Sequence, residues 1–145
     1  MDGIIYIDLK QAEAIHAKTI QYSGGGTYEH FDLGRLDSAL QNIQNDDYYP
    51  SFEEKLTHLF FCTCQFHCFA DGNKRLAITL CAQFLLLNGY MAVAKNFFIA
   101  MENISYHVAA GKIDKDLLLR IMTALMDGTY EHDEELKLEI INAIR

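Results

Sequence analysis

Residues 76–94 contain nineteen consecutive positions without a charged side chain. That approaches the roughly 20 apolar residues a bilayer span needs. Thr79 and Gln83 interrupt the run, however, and Asn88-Gly89 is a helix-stopping pair. What remains, residues 76–87, is an apolar helix too short to cross hydrocarbon. A helix that is apolar on every side must be covered on every side. The chain is therefore expected to build a bundle around this segment. At 145 residues it has the size of one domain, residues 1–145, and with half its residues hydrophobic and a single proline it is neither disordered nor too polar to form a core.

Glycine marks the breaks at Gly3, Gly24 to Gly26, Gly34, Gly72, Gly89, Gly111 and Gly128, and the intervals read as helices. A short strand at residues 4–7 leads into a helix over residues 8–22, with Ala12, Ile15, Thr19 and Tyr22 on one stripe. Leu36, Ala39, Leu40 and Ile43 define a second helix over 34–44. Ser51, followed three residues later by Glu54, makes a capping box that opens a helix over 52–65, with Leu56, Leu59, Phe60 and Thr63 facing inward. The apolar helix then spans 73–88 and is closed by Gly89. Residues 90–94 are expected to pair as a short strand. Asn96, Asp114 and Asp133 are candidate caps of helices reaching 110 and 126 and of a last one carrying Leu136, Ile140 and Ile144. The fold class expected is all-α, with a minor β-hairpin.

The net charge of −8 gives no overall basic footprint, so nucleic acid is not an expected partner. The first ten residues lack the basic and apolar regions of a signal peptide. Cys62, Cys64, Cys68 and Cys81 crowd into one apolar third of the chain and read as reduced and mostly buried, which fits the cytoplasm. On one helix Cys62 and Cys64 point about 200° apart at 100° per residue, which disfavours a shared zinc ion.

Residues 67–75 read His-Cys-Phe-Ala-Asp-Gly-Asn-Lys-Arg, set between two of the most apolar helices. Burying these polar groups without partners would cost several kcal/mol, so a cleft or a network is required. Asp-Gly-Asn at a helix start leaves free N–H groups at the positive end of the helix dipole, and Gly72 permits close approach of an anion. Lys74 and Arg75 add two charges beside them. Asp71 supplies a hard oxygen ligand for Mg²⁺ shared with phosphates. His67 is the candidate general base for an attacking hydroxyl. Phe69 is expected to anchor the loop. The chemistry indicated is transfer of a phosphorus-containing group from a nucleotide to an alcohol.

The segment closely resembles the signature of the Fic/Doc superfamily, a His-x-Phe-x-Asp/Glu-Gly/Ala-Asn-x-Arg loop between two central helices. Six fixed positions (His67, Phe69, Asp71, Asn73, Lys74, Arg75) would coincide by chance on the order of once in 10⁶ chains of this length. The Gly-Arg-Leu-Asp-Ser-Ala-Leu run at 34–40 and the apolar helix ending in Asn88-Gly89 extend the likeness to the death-on-curing (Doc) branch over residues 4–127, leaving 128–145 as an extra helix. The resemblance implies a helical bundle around two central apolar helices, with ATP and Mg²⁺ as cofactors. It implies His67 as base, Asp71 on the metal, and Gly72, Asn73, Lys74 and Arg75 around the phosphates.

Most members transfer AMP to a protein hydroxyl, whereas Doc phosphorylates a threonine of elongation factor Tu. AMP-transferring loops carry Gly at the position of Lys74 and a second Arg at that of Ile78. Lys without the second Arg is the Doc arrangement, which presents the γ-phosphate to the His. The resemblance therefore implies a toxin-type kinase acting on a hydroxyl of a target protein. AMP transfer and a catalytically inactive binding module are the alternatives. Gly72, where Doc has Ala, and Cys68, in place of the usual Pro, depart from the pattern.

The resemblance also puts residues 45–50 where the family carries a flap over the target. The family's inhibitory Ser/Thr-x-x-x-Glu-Gly/Asn run is missing: Thr129 is followed by Asp133 and Glu134. Control by a small antitoxin is then implied. His16, His30, His58, His107 and His132 read as ordinary histidines, Gly24 to Gly26 as a connector, and Phe97, Phe98 and the methionines as core rather than a cofactor box.

Overall fold

The structure is a computed structural model that describes residues 3–22, 33–65 and 73–145. Its α-helices are α1 (Leu9–Tyr22), α2 (Leu33–Asn42), α3 (Phe52–Gln65), α4 (Asn73–Leu87), α5 (Met91–Ala109), α6 (Lys115–Asp127) and α7 (Glu134–Ile144), with a 3₁₀ turn at Tyr130–His132. Helix α4 is the hub: α5, α3 and α1 all pack on it, as an all-round apolar helix requires. Among the described residues no helix is long and apolar enough to cross a membrane.

The capping chemistry expected from the sequence forms. Ser51 Oγ accepts from Glu54 N–H at 3.1 Å and donates to the Glu54 carboxylate at 3.0 Å. Asp114 and Asp133 accept from the N–H groups of Leu117 and Leu136 at 2.8 and 3.0 Å. At the end of α4, Tyr90 N–H donates to Leu85 C=O and Gly89 N–H to Leu86 C=O. This is a Schellman motif, with Gly89 at φ +86° where a side chain would be strained.

Two expectations fail here. Among the described residues there is no strand, so the β-hairpin does not form. Residues 90–94 enter α5, which starts five residues before the expected cap at Asn96, because the Schellman turn passes the chain straight into Met-Ala-Val-Ala, mostly good helix formers. The extended residues 4–7 pair with a side chain instead. The Asn88 amide accepts from Ile5 N–H at 2.8 Å and donates to Ile5 C=O at 2.9 Å, doing the work of a neighbouring strand.

Helices α3 and α4 run antiparallel. Phe52, at the start of α3, stacks on Phe84 near the end of α4 at 4.8 Å between ring centroids, and the Cys81 thiol reaches Leu56 C=O. Leu56, Leu59, Phe60 and Thr63 are buried, as their spacing indicates. Lys55 is wholly buried too. Its ammonium donates to Ile43 C=O at 2.6 Å and to Asp46 Oδ1 at 2.7 Å, and lies 5.7 Å from the Tyr6 ring. A buried cation is tolerable only with such partners. Hydrophobic spacing could not reveal it, because the partners come from the turn after α2 and from the N-terminal segment.

Candidate active site

The site is built from the two helix ends that face each other at the start of α4. Asn73 opens α4 and is half-buried, while Lys74 and Arg75 are exposed in its first turn. The unbonded N–H groups of a helix's first turn carry partial positive charge. Two cations therefore stand on the positive end of a helix, where all of these charges favour an anion. His67, Asp71 and Gly72, together with Cys68 and Phe69, lie outside the described residues. Of the six expected site residues, the structure thus brings together Asn73, Lys74 and Arg75.

The two cations leave α4 on different sides. Arg75 lines a cleft of about 760 Å³ between α1, α4 and α5, a size within the usual range for small-molecule sites. Lys18 and Thr19 of α1, Thr79 of α4 and Glu102 of α5 share its wall, and Ile78, Leu86, Phe98 and Ile99 make much of it apolar. Lys74 stands instead towards the last turn of α3. There the Cys64 thiol is pushed up to about 12 by burial, a rise opposed by the Lys74 charge. The thiol stays protonated and inert. An anion at the start of α4 would have Lys74 on one flank and Arg75 on the other.

Helix α1 is tied to this end. The hydroxyls of Thr19 and Thr79 meet at 3.1 Å, and Thr79 Oγ1 also donates to Arg75 C=O at 3.0 Å. Lys18 and Thr19 are cleft residues that sequence reasoning missed. Thr19 was legible as part of a stripe, but nothing in its spacing pairs α1 with Arg75. Phe98 corrects another expectation: Phe97 is core, whereas Phe98 is 47% exposed and lines the cleft. Met91, 72% exposed, is likewise not core.

Two further groups fall elsewhere. Residues 45–50 precede α3, whose fourteen residues extend about 20 Å. Because α3 and α4 are antiparallel, Phe52 at the start of α3 packs on Phe84 and Tyr90, at the end away from Asn73, while the turn itself is tied to α3 by Asp46 on Lys55 and Tyr49 on His58. Among the described residues these contacts join residues 45–50 to α3 and none of them reaches Asn73, Lys74 or Arg75, so the flap placement gains no support here. His58, near the middle of α3, accepts a hydrogen bond on Nδ1 from the Lys115 ammonium at 2.7 Å and stacks on Tyr49. Burial, reinforced by the Lys115 charge, lowers its pKa to about 4, so it is neutral and structural.

Among the described residues no three His, Cys, Asp or Glu side chains converge on a metal position. Asp71, the expected Mg²⁺ ligand, is outside them. The donors present at the start of α4 are cations and N–H groups, which suit the phosphates of a nucleotide.

No curated protein matches the chain. The sequence model of the Fic/DOC family matches residues 6–85, more than half of the chain, and takes in α1 to α3, α4 up to Leu85 and the whole His67 to Arg75 segment. Helix-borne cations at the head of α4, the all-apolar hub behind them and that match agree: the chain belongs to the Fic/DOC family, whose members are generally transferases acting on proteins.

Proposed function

We propose that this chain transfers the γ-phosphoryl group of ATP to a hydroxyl side chain of a target protein, as Doc does. The observation that carries the reading is the pair Lys74 and Arg75, exposed on the first turn of α4 with Arg75 on the wall of a nucleotide-sized cleft. In this mechanism His67 takes the proton from the acceptor hydroxyl as its oxygen attacks the γ-phosphorus. ADP leaves, and the N–H groups of the α4 start with Lys74 and Arg75 offset the charge on the equatorial and bridging oxygens. Bound through Asp71, Mg²⁺ would neutralise charge shared between neighbouring phosphates. Ile78, in place of a second Arg, is buried and adds no cation, which supports the kinase polarity.

Gly72 favours the second reading, AMP transfer, in which the α-phosphorus is attacked and pyrophosphate leaves. The family precedent for the acceptor is elongation factor Tu. Inhibition is assigned to a separate small antitoxin. An amphipathic segment lying along Ile78, Leu86, Phe98 and Ile99 would end at Arg75 and block it.

The test is incubation with cell lysate and ATP labelled separately at the α- and γ-phosphates. Label on protein from γ only, lost in His67→Ala with folding intact, supports the kinase. Label from α supports AMP transfer. No label from either with the antitoxin absent refutes transferase activity and leaves a binding module.

A further inference from the structure

Helix α7 lies beyond the family match and sits on the rest of the fold by one face only. Leu136 and Ile140 are buried in the core, and Arg120 of α6 pairs with Glu139. On the opposite face Leu138 and Ile141 are 60% and 51% exposed. At 100° per residue, Glu134, Leu138, Ile141 and Arg145 fall within about 60° of arc, so they form one exposed stripe with an acid at one end and a base at the other. Glu134 in the first turn and Arg145, the C-cap residue just past Ile144, are both exposed, and none of the ion pairs among the described residues includes them.

The order of this stripe is self-complementary. Its four positions are symmetric about the midpoint between 139 and 140. A two-fold axis through that midpoint lays a second α7 antiparallel and sets Leu138 against Ile141 of the second copy, and Glu134 against that copy's Arg145. Every contact then occurs twice, which is what an isologous interface demands. A parallel pairing would instead oppose Glu134 to Glu134 and Arg145 to Arg145, and like charges repel.

We propose that the outer face of α7 is a self-association surface, and that its occupant is the antiparallel α7 of a second copy of this chain. Two eleven-residue helices cover less than the roughly 1,200 Å² of a stable interface, so the dimer is reversible and of micromolar or weaker affinity. The dimer leaves the cleft at Arg75 free, because α7 packs against α6 and not against α1, α4 or α5 among the principal helix contacts.

The test is sedimentation velocity of the full chain from about 10 µM to 1 mM, the range in which contacts of this size respond. The expected result is a concentration-dependent monomer–dimer equilibrium. Leu138→Asp, on an exposed site, should retain the wild-type thermal melt and weaken the dimer at least about tenfold, because it places two carboxylates in an apolar seam. Glu134→Arg and Arg145→Glu should each weaken it by about 2- to 5-fold, and the double swap should restore it. A chain that stays monomeric to 1 mM overturns the proposal. So does association that Leu138→Asp leaves unchanged, which would put the contact elsewhere, for instance on the apolar cleft. Failure of the double swap to rescue would overturn the antiparallel register.

Discussion

The two ends of the α3–α4 pair make opposite use of their cations. At the end where α3 begins, Lys55 is wholly buried, with its ammonium spent on Ile43 C=O and Asp46 and set over the Tyr6 ring. At the end where α4 begins, Lys74 and Arg75 are exposed on a helix start that already carries positive charge. The first cation is consumed by the fold. The second pair stands exposed at the head of α4, with Arg75 on the wall of the cleft, where an outside anion can reach it. Stability and chemistry should therefore separate along the length of this helix pair.

The strongest way to break that contrast is at the packed end. Lys55→Ala leaves Ile43 C=O without its donor and opens a cavity, so a loss of about 3 kcal/mol is expected in urea unfolding. Lys55→Met, which keeps the volume, should cost less than half of that, and its phosphate transfer should match wild type. At the other end Arg75→Ala should lower transfer from ATP by about 100-fold, equivalent to ~2.7 kcal/mol, with the melting temperature unchanged. A variant that melts early and keeps its activity would reverse the assignment.

His58 gives a third, smaller effect, between the two ends. Folded, it stays neutral down to about pH 4; unfolded, it protonates near its ordinary 6.5. Between those values the unfolded chain binds the extra proton, so the His58 contribution is full above pH 6.5 and drains away as pH falls towards 4. Solvent screening around Lys115 and Tyr49 reduces the expected loss to about 1–2 kcal/mol. Subtracting the stability–pH curve of His58→Gln from that of wild type should reveal it. A flat difference would remove His58 from the account.

The smallest expected effect sharpens the link between α1 and the site. Thr79→Val removes one partner of the Thr19 hydroxyl, at 3.1 Å, while its bond to Ile15 C=O remains, and should cost about 0.5–1 kcal/mol. The same change should raise KM for ATP by only a few fold, because Arg75 keeps its place on the helix.

Much of the helical frame was legible. Ser51 with Glu54, Asp114 and Asp133 announce helix starts through the same hydrogen bonds the structure contains, and α3 begins and ends where spacing places it. The strand at 90–94 was misread because Val and Tyr favour strands only where a partner exists, and Gly89 turns the chain directly into α5. Of the site, the cations at the head of α4 could be read from residues 73–75. Lys18, Thr19 and Phe98 could not, since they reach Arg75 through the packing of α1 and α5 on α4. The flap placement could not be read from composition either: turn residues mark a bend but not which part of the site it faces.

The most direct measurement is the affinity of a fluorescent ATP analogue, by anisotropy, for wild type, Lys74→Ala/Arg75→Ala and Lys55→Met. The double variant is expected to bind at least about tenfold more weakly, at an unchanged melting temperature, while Lys55→Met binds as wild type does despite its lower stability. Equal binding by wild type and the double variant would contradict the central claim that the exposed cations at the start of α4 hold the nucleotide.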